Sequence, residues 1–186
     1  MQLPSCVANL QDQNEGAYPT NAAILQRVLS ASVTVDQKVV SSIGNGILVL
    51  AAMAPGDTEK DAERLASKIL KLKLWDDDSG RRWKRSVQDI NGEVLCVSQF
   101  TLLASTKKGN KPDFHGALNG DEARRLYDCF YRKVQEGYNP EKVQNGVFQA
   151  MMQVALVNDG PVTIEITAGQ TDKKGEKNAT SDEPAP

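Results

Sequence analysis

The stretch "AAILQRVLSASVTVDQKVVSSIGNGILVLAAM", residues 22–53, decides the fold class. Its aliphatic and β-branched residues fall in short runs cut by turn residues, which is a strand pattern. Strands are predicted over about 22–29, 31–36, 38–43 and 46–53, with turns at Asp36-Gln37 and Gly44-Asn45-Gly46. Downstream, "GDTEKDAERLASKILKLKLW" (56–75) changes period. Asp57 or Thr58 can cap a helix, and Ala62, Leu65, Ala66, Ile69 and Leu70 fall on one face. "WDDDSGRRWKRSVQDINGEVLCVSQFTLLA" (75–104) predicts two short strands about Ser79-Gly80, a turn at Asn91-Gly92 and a long strand over 93–103. A second helix follows in "GDEARRLYDCFYRKVQEGY" (120–138), with Ala123, Leu126, Tyr127, Phe130 and Val134 on one face. Two last strands flank Asn158-Asp159-Gly160-Pro161. Strands outnumber helices and their order is mixed. The expected class is α+β, a single domain with an antiparallel-rich, barrel-like mixed sheet and helices packed on one side.

The 186 residues suit one domain with a sizeable core. Residues 1–21 read as a flexible extension, 22–168 as the folded body and 169–186 as a disordered tail, too charged and too poor in apolar groups to offset its ordering entropy. No apolar run approaches the roughly 18–20 residues that span a bilayer, and the N-terminus lacks the pattern of a secretory or mitochondrial leader. The expected compartment is the cytoplasm, with no membrane association. Cys6, Cys96 and Cys129 are an odd set without a CxxC, which suits a reducing compartment. The body carries 19 basic and 18 acidic residues, so charge alone does not announce a nucleic-acid binder.

Conventional catalysts are scarce. His115 is the one histidine, beside Gly and near Pro, and reads as a surface loop residue. The three acids of "WDDDSG" read as a solvated loop, and neither metal nor cofactor is expected. "STKKGNKPDF" (105–114) holds Lys107, Lys108 and Lys111 without P-loop spacing, and "RRWKR" (81–85) adds four cations around Trp83. Both read as solubilising loops unless something else places them on one RNA-facing surface. "VSQFTLLA" (97–104) is more pointed, because Ser98, Gln99 and Thr101 interrupt an apolar strand. Strand alternation would set Gln99 and Thr101 on one face and Ser98 and Phe100 on the other. Asp-Gly-Pro at 159–161 reads as a turn that offers bare carbonyl oxygens, since Gly has no side chain and Pro no N–H.

"SQFTL" at 98–102 and "NDGPVT" at 158–163 together resemble the two signature motifs of the D-aminoacyl-tRNA deacylases. "ILQRVLSASVTVD", "GILVLAAMAPGDTEKDAERLASKIL", "TKKGNKPDFH" and "MQVALVNDGPVTIEI" extend the likeness over about 22–167. The resemblance implies an enzyme that hydrolyses the ester of D-aminoacyl-tRNA, with achiral glycyl-tRNA as a further substrate. It implies a homodimer in which a cis Gly160-Pro161 bond enters the partner's pocket beside Ser98–Thr101. The carbonyls of Gly160 and Pro161 would face the substrate's α-carbon, where an L side chain would collide. Ser98, Gln99, Phe100 and Thr101 become the catalytic segment, and main-chain N–H groups at Phe100 and Thr101 would stabilise an oxyanion.

By the same resemblance Arg27 braces the Gly-Pro segment, Phe148 lies near the terminal adenosine with Met152 close by, and Lys107, Lys108 and Lys111 contact acceptor-end phosphates. Catalytic help comes either from Thr101 as nucleophile or from the ribose 2′-hydroxyl of the tRNA. Gln149 departs from the family's usual Gly after this Phe. Two other readings stay open. One is a sibling-type deacylase for L-Ala or Gly esters, whose family has a trans Gly-Pro and a "PQATL"-like strand. The other is a non-catalytic nucleic-acid-binding module.

Overall fold

The computed structural model describes residues 22–107, 109–115 and 117–167. The expected extension at 1–21, the tail at 169–186, Cys6 and Lys108 lie outside the described residues. Six strands, β1 (Ala22–Val35), β2 (Lys38–Ile43), β3 (Gly46–Ala52), β4 (Glu93–Ser98), β5 (Val143–Asn145) and β6 (Gln153–Thr167), form one nearly closed, barrel-like mixed sheet. Two helices, α1 (Glu59–Lys71) and α2 (Gly120–Glu136), pack against it. The α+β class and the one-sided helices are as the periodicities predict.

The pairing is less simple than the sequence pattern. Residues 22–29 and 31–36, expected as separate strands, form the continuous β1. Along one edge β1 pairs antiparallel with β3 through 22–28 and with β2 through 31–35. Along its other edge it pairs with β6 over nearly its whole length. β3 and β4 run parallel, as do β4 and β5. The two strands expected around Asn158–Pro161 are a single strand, β6, and 158–161 is an excursion within it rather than a connection between strands.

Alternation along the strands divides two cores. Leu25, Ile47, Val49, Val94 and Cys96 face the helices, where they meet Leu65, Ile69, Leu126 and Phe130. Val28, Val33, Leu48, Leu95 and Val97 fill the barrel. β3 is therefore covered on both faces, which is why 46–53 reads as an almost unbroken apolar run. Each fully buried Leu, Ile or Phe here contributes about 1.5–3 kcal/mol of transfer free energy. Thr58 opens α1, and its N–H donates to the Asp61 carboxylate at 2.9 Å. Asn119 opens α2, its side-chain oxygen accepting from Glu122 N–H at 3.0 Å.

Two expectations fail locally. The predicted strand over 93–103 stops at Ser98, and Phe100–Leu103 turn as a short 3-10 helix. The two-face alternation of Gln99/Thr101 against Ser98/Phe100 accordingly does not exist. The short strands about Ser79-Gly80 reduce to one bridge, Trp75 to Arg85. Asp77 organises that loop instead, taking the N–H groups of Ser79 and Arg81, both at 3.0 Å.

Candidate active site

β4 ends at the point where the chain must leave the sheet. The Gln99 N–H still donates to Ala51 O of β3 at 2.8 Å, and the chain then tightens, with Leu102 N–H donating to Gln99 O at 3.1 Å. A helix start leaves its first N–H groups without intrahelical acceptors. Those of Phe100 and Thr101 have no acceptor among the described residues. The Gln99 side-chain amide donates to Thr101 Oγ1. The hydroxyl is thus positioned by an amide, which is no base.

This turn forms one wall of a cavity of about 610 Å³, within the range of small-ligand sites. Ser98, Gln99, Phe100 and Thr101 line it together with Phe148, Gln149 and Met152 from the segment before β6, and Tyr127 from α2. No His, Cys, Asp, Glu or Lys is among its lining residues. The ring of Tyr127 lies 5.7 Å from that of Phe148, and its hydroxyl donates to Asn145 Oδ1 at 2.7 Å. Burial holds that hydroxyl well above the ordinary tyrosine pKa, so it stays protonated. Arg124 also lies over the Phe148 ring, its guanidinium carbon 4.6 Å from the ring centroid. Arg124 also donates to Gln149 Oε1 at 3.4 Å. The sequence places Tyr127 on the apolar face of α2 and gives Arg124 no role. Their spacing of three residues before a lone aromatic on another element carries no local signal.

Gln149 stands at φ +64°, in the left-handed region that favours glycine. Gln149→Gly is therefore expected to raise stability by about 1 kcal/mol, since its hydrogen bond to Arg124 is long and exposed. A thermal melt checks this, and an unchanged or lowered midpoint counts against it.

Gly160 and Pro161 are not in this cavity. Their segment leaves the β1–β6 ladder where Gln26 pairs Thr163 and Val28 pairs Asn158, so four residues of β6 stand opposite Arg27 alone. The Gly160-Pro161 bond is cis. The residues of "NDGPVT" close the excursion themselves. Asn158 Oδ1 accepts from Val162 N–H at 2.9 Å, and its Nδ2 donates to Thr163 Oγ1 at 3.1 Å. Gly160 has φ +125°, and a Cβ there would come within 2.8 Å of Val162 Cγ2. Arg27 holds the excursion from behind. Its Nε donates to Asp159 O at 3.2 Å and pairs with the Asp159 carboxylate at 3.0 Å, while Nη1 donates to Leu74 O at 2.5 Å. Gly160 and Pro161 themselves are exposed, beside the exposed apolar residues Leu29, Leu156 and Val157.

Lys107 and Lys111 lie on an exposed loop closed by the Ser105–Asp113 bridge. Phe114 at its end packs on Phe100 of the cavity wall, ring centroids 5.1 Å apart. His115 is exposed and its ring contacts Asp113, outside the cavity.

The barrel-like α+β body thus carries a cavity walled by "SQFTL" and a main-chain excursion at "NDGPVT", the two segments on which the resemblance to the D-aminoacyl-tRNA deacylases rests. The chain belongs to the D-Tyr-tRNA(Tyr) deacylase family, whose model matches residues 24–167. It is 56% identical over 146 residues to the D-aminoacyl-tRNA deacylase of Yarrowia lipolytica, covering 77% of this chain and 94% of that one. It is 51% identical over 142 residues to the D-aminoacyl-tRNA deacylase of Schizosaccharomyces pombe, covering 76% and 95%. Among solved structures it is similar to the c-Myc DNA Unwinding Element Binding Protein, with a TM-score of 0.77 and 46% identity over 80% of this chain and 99% of that one.

Proposed function

We propose that the protein hydrolyses the ester joining a D-amino acid to the 3′ end of tRNA, takes glycyl-tRNA as well, and rejects L-aminoacyl esters. The observation that carries this is the separation of two halves of one device. The cavity holds Ser98–Thr101, Phe148 and Met152, while the exposed Gly160-Pro161 segment is braced by Arg27 outside it. Two copies of the chain bring the halves together, each lending Gly160 and Pro161 to the other's cavity. The apolar Leu29, Leu156 and Val157 supply contact area for that homodimer. Its place is the cytoplasm, where charged tRNAs are used.

An aminoacyl ester is already activated, so the site needs to hold the ester and stabilise the oxyanion. The free N–H groups of Phe100 and Thr101 fit that second task. Ser98 and Gln99 hold the turn in place, and Gln99 also orients Thr101. Phe148 and Met152 form the opposite wall, where the terminal adenosine lies. Lys107, Lys108 and Lys111 attract acceptor-end phosphates. Since no His, Asp, Glu or Lys lines the cavity among the described residues, a water attacks the ester carbonyl, and its proton passes by way of the tRNA's 2′-hydroxyl to the departing ribose 3′-oxygen.

Thr101→Ala is accordingly expected to keep activity within about tenfold, because the loss of one orienting hydrogen bond is worth roughly 0.5–1.5 kcal/mol. Single-turnover deacylation checks this, and abolished turnover with an unchanged melting curve means a covalent mechanism. The proposal as a whole is tested by deacylation of glycyl-, L-alanyl- and D-alanyl-tRNA. Turnover of Gly and D-Ala but not L-Ala is expected. Turnover of L-Ala assigns the sibling activity, and salt-sensitive binding without turnover assigns a nucleic-acid-binding module.

A further inference from the structure

The loop between Leu74 and Arg85 is used by nothing described so far. Its base is closed by Leu74 N–H to Arg85 O at 2.8 Å and Lys84 N–H to Trp75 O at 2.8 Å. Asp77 fixes the middle through the Ser79 hydroxyl at 2.6 Å and the Arg81 guanidinium at 2.8 Å. The Ser79 hydroxyl first, then the Arg81 groups and the Ser79 N–H, hold the Asp77 carboxyl down at about 2, so it stays charged. Asp78 pairs with Arg85. Two of the four cations in "RRWKR" are thereby neutralised inside the loop. The side chains of Arg82 and Lys84 have no hydrogen-bond or ion-pair partner among the described residues, and both residues are exposed.

Between them stands Trp83, 51% exposed and at φ +59°. A bulky side chain in the left-handed region is uncommon and persists only where its surroundings dictate it. A merely solubilising loop has no need of an indole displayed in that way. An exposed aromatic flanked by two unpaired cationic side chains matches the chemistry of unpaired nucleic acid, where bases stack on aromatic faces and phosphates pair with Lys and Arg. Placement agrees with this. Arg27 donates to Leu74 O and lies 6.0 Å from the Trp75 ring, and it also grips Asp159 beside Gly160. One side chain thus ties the base of this loop to the Gly160-Pro161 excursion.

We propose that the 76–85 loop is a second tRNA contact, in which Trp83 stacks on an unpaired base of the acceptor end and Arg82 and Lys84 hold the adjoining phosphates. This rests on the reading of the protein as a tRNA deacylase.

The test uses the full chain, Trp83→Leu, and an Arg82→Gln/Lys84→Gln double variant. RNA minihelices with and without a single-stranded 3′ end serve as binding probes, and D-tyrosyl-tRNA as substrate. Trp83→Leu is expected to weaken binding of the 3′-extended minihelix about tenfold and to leave the blunt duplex unaffected. KM for D-tyrosyl-tRNA should rise with kcat unchanged. The double variant, which retains the tryptophan and tests the idea even should Trp83→Leu misfold, should flatten the dependence of log Kd on log salt by about 1.5. Equal affinities, equal salt slopes and an unchanged KM overturn the proposal, as does a Trp83→Leu protein whose only change is its oligomeric state. If the parent protein turns over no D-tyrosyl-tRNA yet binds the extended minihelix through Trp83, the deacylase reading fails while the contact stands.

Discussion

D-Tyrosine should be released from D-tyrosyl-tRNA at least about 100-fold faster than L-tyrosine from the L ester, a difference of roughly 2.7 kcal/mol in the barrier. Attraction to the side chain is a weak source of such a ratio across many amino acids, because both esters carry the same groups and the side chains differ from one substrate to the next. The proposed filter selects by a collision at one position of the α-carbon, a repulsive element set against the wrong enantiomer. On the proposed reading the collision is with the carbonyls of Gly160 and Pro161, in a segment that Arg27 holds from behind and Asn158 staples across the excursion. Such a wall cannot yield to a Cβ as a flexible side chain would. It also ignores what lies beyond Cβ, so the same ratio should hold for D-Asp and D-Phe esters. Rapid-quench deacylation of matched D and L esters measures the ratio. Equal rates would falsify the filter. A protein that is monomeric in solution and still fully selective removes the cross-subunit arrangement while leaving the activity.

The second large effect is on folding. Gly46→Ala is expected to cost at least about 3 kcal/mol. Gly46 begins β3 and pairs with Glu93 of β4 on one side and Val28 of β1 on the other. A Cβ there would lie 2.7 Å from both the carbonyl carbon and the nitrogen of Glu93, and closer still to its oxygen. These are backbone atoms in a parallel ladder, tied further by Glu93 Oε2 accepting from Gly44 N–H at 2.5 Å. Relief requires β3 and β4 to part where both of their faces are buried. With total stabilities of about 5–15 kcal/mol for such domains, the melting midpoint should fall by about 10 °C. A midpoint within about 2 °C of the parent would show that the strands separate freely at this end.

How far these features are readable from the chain differs by kind. The two helices are legible because their signals are local. Ala62, Leu65, Ala66, Ile69 and Leu70 repeat at helical spacing behind Thr58, and all five are buried. The β3 run is legible as apolar, though not as a strand covered on both faces. The likeness of "SQFTL" and "NDGPVT" to a deacylase family is also legible, because it resides in residue identity and order.

Conformation at those same motifs is not. "VSQFTLLA" alternates like a strand, yet it turns at Gln99, because β4 runs beside β3 only as far as Ala51 and Ser98 and nothing continues the ladder. "NDGPV" has the composition of a turn between strands. It is instead an excursion from one strand, because β1 pairs on both sides of it and Arg27, far away in sequence, receives it. Local preference settles what each segment favours alone. Strand partners, bulges and the distance between the Ser98–Thr101 wall and Gly160-Pro161 are set by hydrogen bonds and packing between separate segments, as far apart in the chain as Ala22 and Thr167, and those are decided only when the sheet assembles.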